Sequence, residues 1–218
     1  MFSFLWNAVA GRYYNATTGR FVSAAEVAQG VDALAADTAD IMAGLTDSMI
    51  AGDLSVAEWQ SQMMTLIRDG NRASAIAARG GIAQMSQADW GSVGAANREQ
   101  YKYLQRFADQ IASGKQPLNG SARTRAKMYA SAIRTQFEKF ARRVAQVYLG
   151  AEEERRVLGN AEHCRSSDDK MGCEEIADMG WQRIGKLPPI GAAPCLTNCK
   201  CHFVYRKRKG LKWVIFGR

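Results

Sequence analysis

The side chains best suited to chemistry in this chain are five cysteines and two histidines, and they stand together. They run His163-Cys164-x8-Cys173-x21-Cys195-x3-Cys199-x-Cys201-His202, all in the last quarter of 218 residues. Thiolates and imidazoles are the ligands of tetrahedral zinc, and a structural site usually takes them as two close pairs joined through a turn. Cys195 with Cys199 or Cys201 makes a good second pair. Cys164 with Cys173 makes a looser first pair, because the eight residues between them must form a polar loop. A Cys-x-Cys pair seldom seats both thiolates on one ion, so one of Cys199 and Cys201 is expected to face away. The candidate ligands are therefore Cys164, Cys173, Cys195, Cys199, Cys201 and His163, with His202 adjoining the last cysteine.

Three chemistries compete for these thiols. The apolar N-terminus (Phe2, Phe4, Leu5, Trp6, Val9) lacks a basic leader, and Arg12 interrupts it. It reads as an anchoring segment that packs on its own helices or docks on a partner. A reducing compartment is then expected, where clustered cysteines bind metal more often than they form disulfides. The odd count also fits full disulfide pairing poorly. Disulfides in an assembled extracellular particle, and reduced buried cysteines, stay open as alternatives. The expected zinc is structural, since only Glu162 and Asp168 stand near it as a possible general base. No Ser-His-Asp order, phosphate-binding loop or dinucleotide glycine pattern is present, and no enzyme activity is expected.

The elements that must position this cluster are mainly helical. Ser23 with Glu26, and Ser55 with Glu58, match the capping box, in which each side chain satisfies an orphan donor of the other's backbone. Val27, Val31, Leu34, Thr38, Ile41, Met42, Leu45 and Met49 then trace one apolar face. Trp59, Met63, Leu66 and Ile67 trace a second helix, expected to bend near Gly70 and to stop at Gly80-Gly81. A third helix, capped at Asp89, faces inward through Asn97, Tyr101, Leu104, Phe107, Ala108 and Ile111. A loop over 114–120 leads to one long fourth helix, with Ala126, Ala130, Ile133, Phe137, Ala141, Val144 and Tyr148 on its inner face.

Beyond residue 158 Gly, Pro and Cys punctuate short segments, and 201–205 with 211–216 reads as a hairpin around Lys209-Gly210. The expected organisation is an arm over 1–22, a helical domain over 23–158 and a Cys-rich module over 159–218. The fold class is mainly α: a bundle-like helical body with a small zinc-stapled α/β module ending in a β-hairpin. A module of that size buries too little to fold comfortably alone, which is the physical case for a metal.

The net charge of +8 is unevenly placed. Residues 1–97 hold 5 basic and 9 acidic side chains, residues 98–150 hold 11 and 3, and residues 151–218 hold 13 and 9. Arg123, Lys127 and Arg134 form one stripe of the fourth helix, and Arg206, Lys207, Arg208 and Lys209 crowd the hairpin turn. These are candidate phosphate contacts, able to bind nucleic acid without reading bases. The competing reading is a solvated helix face beside the acidic first segment. No apolar run is long enough to span a membrane.

One stretch carries a resemblance. Ala161-Glu162-His163-Cys164, Cys173, Gly180-Trp181, Gly185-Lys186-Leu187-Pro188-Pro189, then Cys195-Leu196-Thr197-Asn198-Cys199-Lys200-Cys201 and a strand with Tyr205 resembles the C-terminal signature of tailed-phage head-morphogenesis proteins, the minor head proteins of the Mu F-like group. It covers about residues 158–206. The family's first two cysteines stand as Cys-x-x-Cys, whereas here Ser167 holds the second place and Cys173 follows six residues later. The resemblance implies a virion protein made in the host cytoplasm and built into the head in several copies. Its partners would be the portal protein or major capsid protein and, in passing, packaged double-stranded DNA. The alternative from the residues alone is a zinc-stabilised regulatory protein that binds nucleic acid.

Overall fold

A computed structural model describes residues 4–7, 9–159, 171–196 and 199–207, with the backbone of 213–214. It is mainly helical, with a small sheet at each end of the chain.

The capping boxes set the helix starts. Ser23 opens α1 (Ala24–Ala51) and Ser55 opens α2 (Val56–Arg79), each with its Glu three residues on returning the bond. Gly52 and Gly80 end them in the left-handed conformation that only glycine adopts without strain. The third helix, α3 (Gln87–Ala112), starts three residues before the expected place: Ser86 is its cap, and Asp89 is the returning partner. The fourth divides into α4 (Gly120–Met128) and α5 (Ser131–Val147), because the backbone bonds shift to a tighter three-residue step at Tyr129 and Ala130.

Helix α2 is central, packed against α1, α3 and α5. It runs unbroken through Gly70. A Cβ there would stand 2.5 Å from Ile133 Cδ1, so the missing side chain lets α5 approach. Of the expected α1 face, Val27, Val31, Thr38, Met42 and Met49 are buried, while Ile41 turns to solvent at 53% exposure. Trp59, fully buried, donates its indole N–H to Thr46 Oγ1 at 3.1 Å.

The aromatic N-terminus, expected as an anchoring arm without regular structure, is a three-stranded antiparallel meander: β1 (Phe4–Asn7), β2 (Arg12–Asn15) and β3 (Phe21–Val22). Strands this short show little alternation; their stability comes from pairing and from the helix end beneath. Trp6 N–H donates to Gly80 O at 2.8 Å, and the buried Tyr13 hydroxyl donates to Ala78 O at 2.7 Å.

The C-terminal sheet is antiparallel, in the order β5-β4-β6-β7. Its strands are β4 (Glu153–Val157), β5 (Gln182–Arg183), β6 (His202–Arg206) and β7 (Trp213–Val214). Strands β6 and β7 are the expected hairpin. Strand β4 was not legible, and it lies ahead of residue 159, where the composition changes. A short helix α6 (Cys173–Asp178) packs on β4. The sheet and the bundle share one hydrophobic core, which includes Ile176, Leu187, Phe203 and Tyr205 beside Phe137 and Phe140.

One buried ion cluster ties three helices. Asp89, with no exposed surface, meets Arg79 of α2 at 3.1 Å and Arg143 of α5 at 3.3 Å. Tyr148 covers Arg79, with its ring centroid 3.9 Å away. Burial alone would raise the Asp89 pKa, but hydrogen bonds from Ser86 and the charges of Arg79 and Arg143 outweigh it and hold the carboxyl below its ordinary value. A depressed carboxyl stabilises the fold above its unfolded pKa, and that contribution is lost as the pH falls below about 4. Asp89→Asn, which leaves two arginines facing a neutral amide, is expected to cost about 3 kcal/mol. Urea unfolding at neutral pH measures the loss. Repeating it at acid pH should show a smaller difference between variant and wild type.

Candidate metal centre

Three of the cysteines meet. Cys173, at the start of α6, and Cys199 and Cys201, on the segment entering β6, place their sulfurs within 4.8 Å of one another. All three are buried. The Cys173 and Cys199 sulfurs are 3.6 Å apart. Thiolates about 2.3 Å from a tetrahedral zinc lie roughly 3.8 Å from each other, so the spacing fits one ion of that kind. The four described cysteines are free thiols.

Both members of the Cys-x-Cys pair join the cluster, contrary to the expectation that one faces away. Cys199 and Cys201 turn their sulfurs the same way, and the Cys201 backbone N–H donates to the Cys199 sulfur. His202, the first residue of β6, is outside the triad; it is buried, and burial and the charge of Arg134 lower its pKa. Cys195 stands outside the cluster, half-buried, before the left-handed turn at Leu196. His163 and Cys164 lie outside the described residues.

The three sulfurs are electrostatically unequal. A hydrogen bond from the Cys201 thiol is the largest influence holding Cys199 down to about 5, and the Cys173 thiol and Arg156 act in the same direction. Burial, then the neighbouring Cys199, push Cys173 up to about 12. Cys201 is raised too, chiefly because its thiol donates to Cys199. Three clustered sulfurs, with Cys199 the one most favoured as thiolate, make a soft set that suits a thiophilic metal.

Its frame is built by charged side chains, of which the sequence reading singled out Arg134 alone, and that as a phosphate contact. Arg134 Nη2 donates to Lys200 O at 2.7 Å and to Cys201 O at 3.2 Å, which fixes the cysteine segment on α5. Glu138 accepts from the Phe203 backbone N–H, and burial pushes its pKa up to about 7 against the pull of Arg134. Arg142 clamps the fully buried Glu154 of β4 through both nitrogens and also donates to Leu187 O at 2.7 Å. Arg156 donates to Pro188 O at 2.6 Å and to Cys173 Sγ at 3.3 Å. The available signal was the alternation Glu154-x-Arg156, which puts both on one face of a strand. A charged strand carries no apolar pattern, so the signal was silent.

A cleft of about 260 Å³ lined by Asp32, Ala39, Ser131, Arg134, Cys199 and Lys200 runs between α1 and α5 to the edge of the cluster.

The basic candidates separate. Arg123 pairs with Asp47 and Lys127 with Asp40, both at 2.9 Å, so this stripe faces the acidic α1 as the competing reading had it. Arg134 is buried and committed to backbone carbonyls, so it offers nothing to a phosphate. Arg206 pairs with Glu153 at 2.6 Å and lies over Trp181. Lys207 is exposed beside Gly150. Arg208 and Lys209 lie outside the described residues.

Compared with known proteins, the chain matches no family model, no curated protein and no solved structure.

The ligand set can be tested residue by residue. Cys173→Ser, Cys199→Ser and Cys201→Ser should each lose bound metal on elemental analysis, whereas Cys195→Ser should retain it. Each loss should lower the melting temperature by roughly 10 °C, as expected for about 3 kcal/mol in a chain of this size. If no substitution in the triad changes metal content or stability, the cluster is a set of core thiols.

Proposed function

We propose that this chain is a structural protein of a tailed-phage head: a minor head protein, associated with portal or major capsid protein, that acts in head assembly. The observation that supports this reading is the cysteine cluster. Cys173, Cys199 and Cys201 belong to the stretch that resembles the head-morphogenesis signature, and they converge in one buried place. A buried cluster of thiols of this kind suits a staple.

Zinc is the ion assigned to it here. Its filled d shell accepts a tetrahedron of sulfurs without redox chemistry, and the metal supplies folding free energy when bound. Cys173, Cys199 and Cys201 would hold it, and the arginines and Glu138 would position them. Staple and seam together would keep the C-terminal sheet on α5, leaving the helical body and the hairpin to meet partners. DNA contact is secondary in this reading. Arg134 is internal, Arg123 and Lys127 are engaged with α1, and Arg206 is engaged with Glu153, so the candidates left for phosphate are Lys207, Arg208 and Lys209 of the hairpin turn.

Mass spectrometry of purified DNA-filled particles and of proheads tests the assignment. The chain is expected in one or both, at a copy number well below that of the major capsid protein. Its absence from both overturns the reading. A salt-dependent gel shift showing tight, sequence-selective DNA binding would move the chain to the regulatory class instead.

A further inference from the structure

We propose that Arg156 is the built-in counter-cation of the cysteine cluster, and that the cluster takes its metal as a net-negative thiolate complex. The inference rests on the metal-centre reading above and sharpens what the site accepts.

A guanidinium stays charged at any pH a folded protein meets, and a charge taken out of water needs a partner. Three arginines are buried among the described residues: Arg79, Arg134 and Arg156. Two have carboxylates, Asp89 at 3.1 Å from Arg79 and Asp32 at 3.7 Å from Arg134. Arg156 is 1% exposed, and no described carboxylate lies within ion-pair distance of it. Its Nη2 donates to Pro188 O at 2.6 Å and Pro189 O at 3.2 Å, and its Nε has no partner. Its Nη1 donates to Cys173 Sγ at 3.3 Å and points to Cys199 Sγ at 4.0 Å. The charge is therefore aimed at the sulfurs.

A divalent ion on three thiolates carries one net negative charge, and on four thiolates two. In a buried site that charge is costly unless a cation stands against it. Arg156 is that cation, placed by the two proline carbonyls that hold its other nitrogen. Groups that donate to metal ligands from behind commonly change metal affinity by 10–100-fold when removed. Three sulfurs favour thiophilic ions of the zinc class over calcium or magnesium, which take oxygen ligands.

Cobalt(II) is the probe, because its thiolate charge-transfer and d–d bands report both binding and ligand set. The full-length reduced protein is titrated with cobalt, and the cobalt is then displaced by zinc, for wild type, Arg156→Met and Arg156→Lys. Arg156→Met should bind about 10–100-fold more weakly. Arg156→Lys, which keeps the charge, should recover most of the loss. Equal affinity and spectrum in wild type and Arg156→Met overturn the proposal and leave the metal centre standing. Loss in Arg156→Lys as deep as in Arg156→Met also overturns it, since charge would then not be what matters. If Arg156→Met does not fold by circular dichroism, Arg156→Gln replaces it against Arg156→Lys, and equal affinity again overturns the idea. A wild type that binds no cobalt or zinc removes the metal centre and this proposal together.

Discussion

A row of buried and half-buried charge runs along one side of α5. Arg134, Glu138 and Arg142 stand four residues apart, so they share one helix face. Each is spent on the C-terminal sheet: Arg134 on the carbonyls of Lys200 and Cys201, Glu138 on the Phe203 N–H, and Arg142 on Glu154 and Leu187. Buried ionic groups add little net stability compared with a well-packed apolar seam. What they supply here is register. A slip of one residue along β6 would leave buried charges unsatisfied, and each such group costs on the order of 1–3 kcal/mol or more.

Register along this seam decides the cysteine site. Cys199 and Cys201 flank Lys200, whose carbonyl is one of the two that Arg134 holds. Cys173 arrives from the other direction, on a short helix packed against β4. Strand β4 is in turn fixed to α5 by the Arg142–Glu154 clamp. The three sulfurs therefore meet because two separate segments are docked on one helix. A metal joining them would close a loop that the buried charges have already drawn together, so ion and seam should reinforce each other.

The same seam reinterprets the basic character of the chain. Much of the excess over residues 98–150 looked like a surface for nucleic acid. Arg134, Arg142 and Arg143 instead work inside or at the edge of the molecule, and Arg123 and Lys127 answer carboxylates on α1. Exposed pairs of that kind contribute little, about 0–1 kcal/mol each. The internal ones set the geometry.

The sequence alone determined what is local. Helix starts were readable at Ser23 and Ser55, because a capping box closes within one turn. Helix ends were readable at Gly52 and Gly80, because a left-handed residue needs no distant partner. The apolar stripes told which faces turn inward, and the thiols declared the chemistry of the site. Only the tertiary structure decided that Cys173, Cys199 and Cys201 meet while Cys195 stands aside, that Glu138, Arg142 and Arg156 are internal, and that residues 4–7, 12–15, 21–22 and 153–157 form strands. Those outcomes depend on contacts between residues far apart in the chain. A charged strand such as β4 has no apolar alternation to announce it. An arginine has the same side chain whether it faces water, phosphate or sulfur, and the partner that settles its role is supplied by the fold.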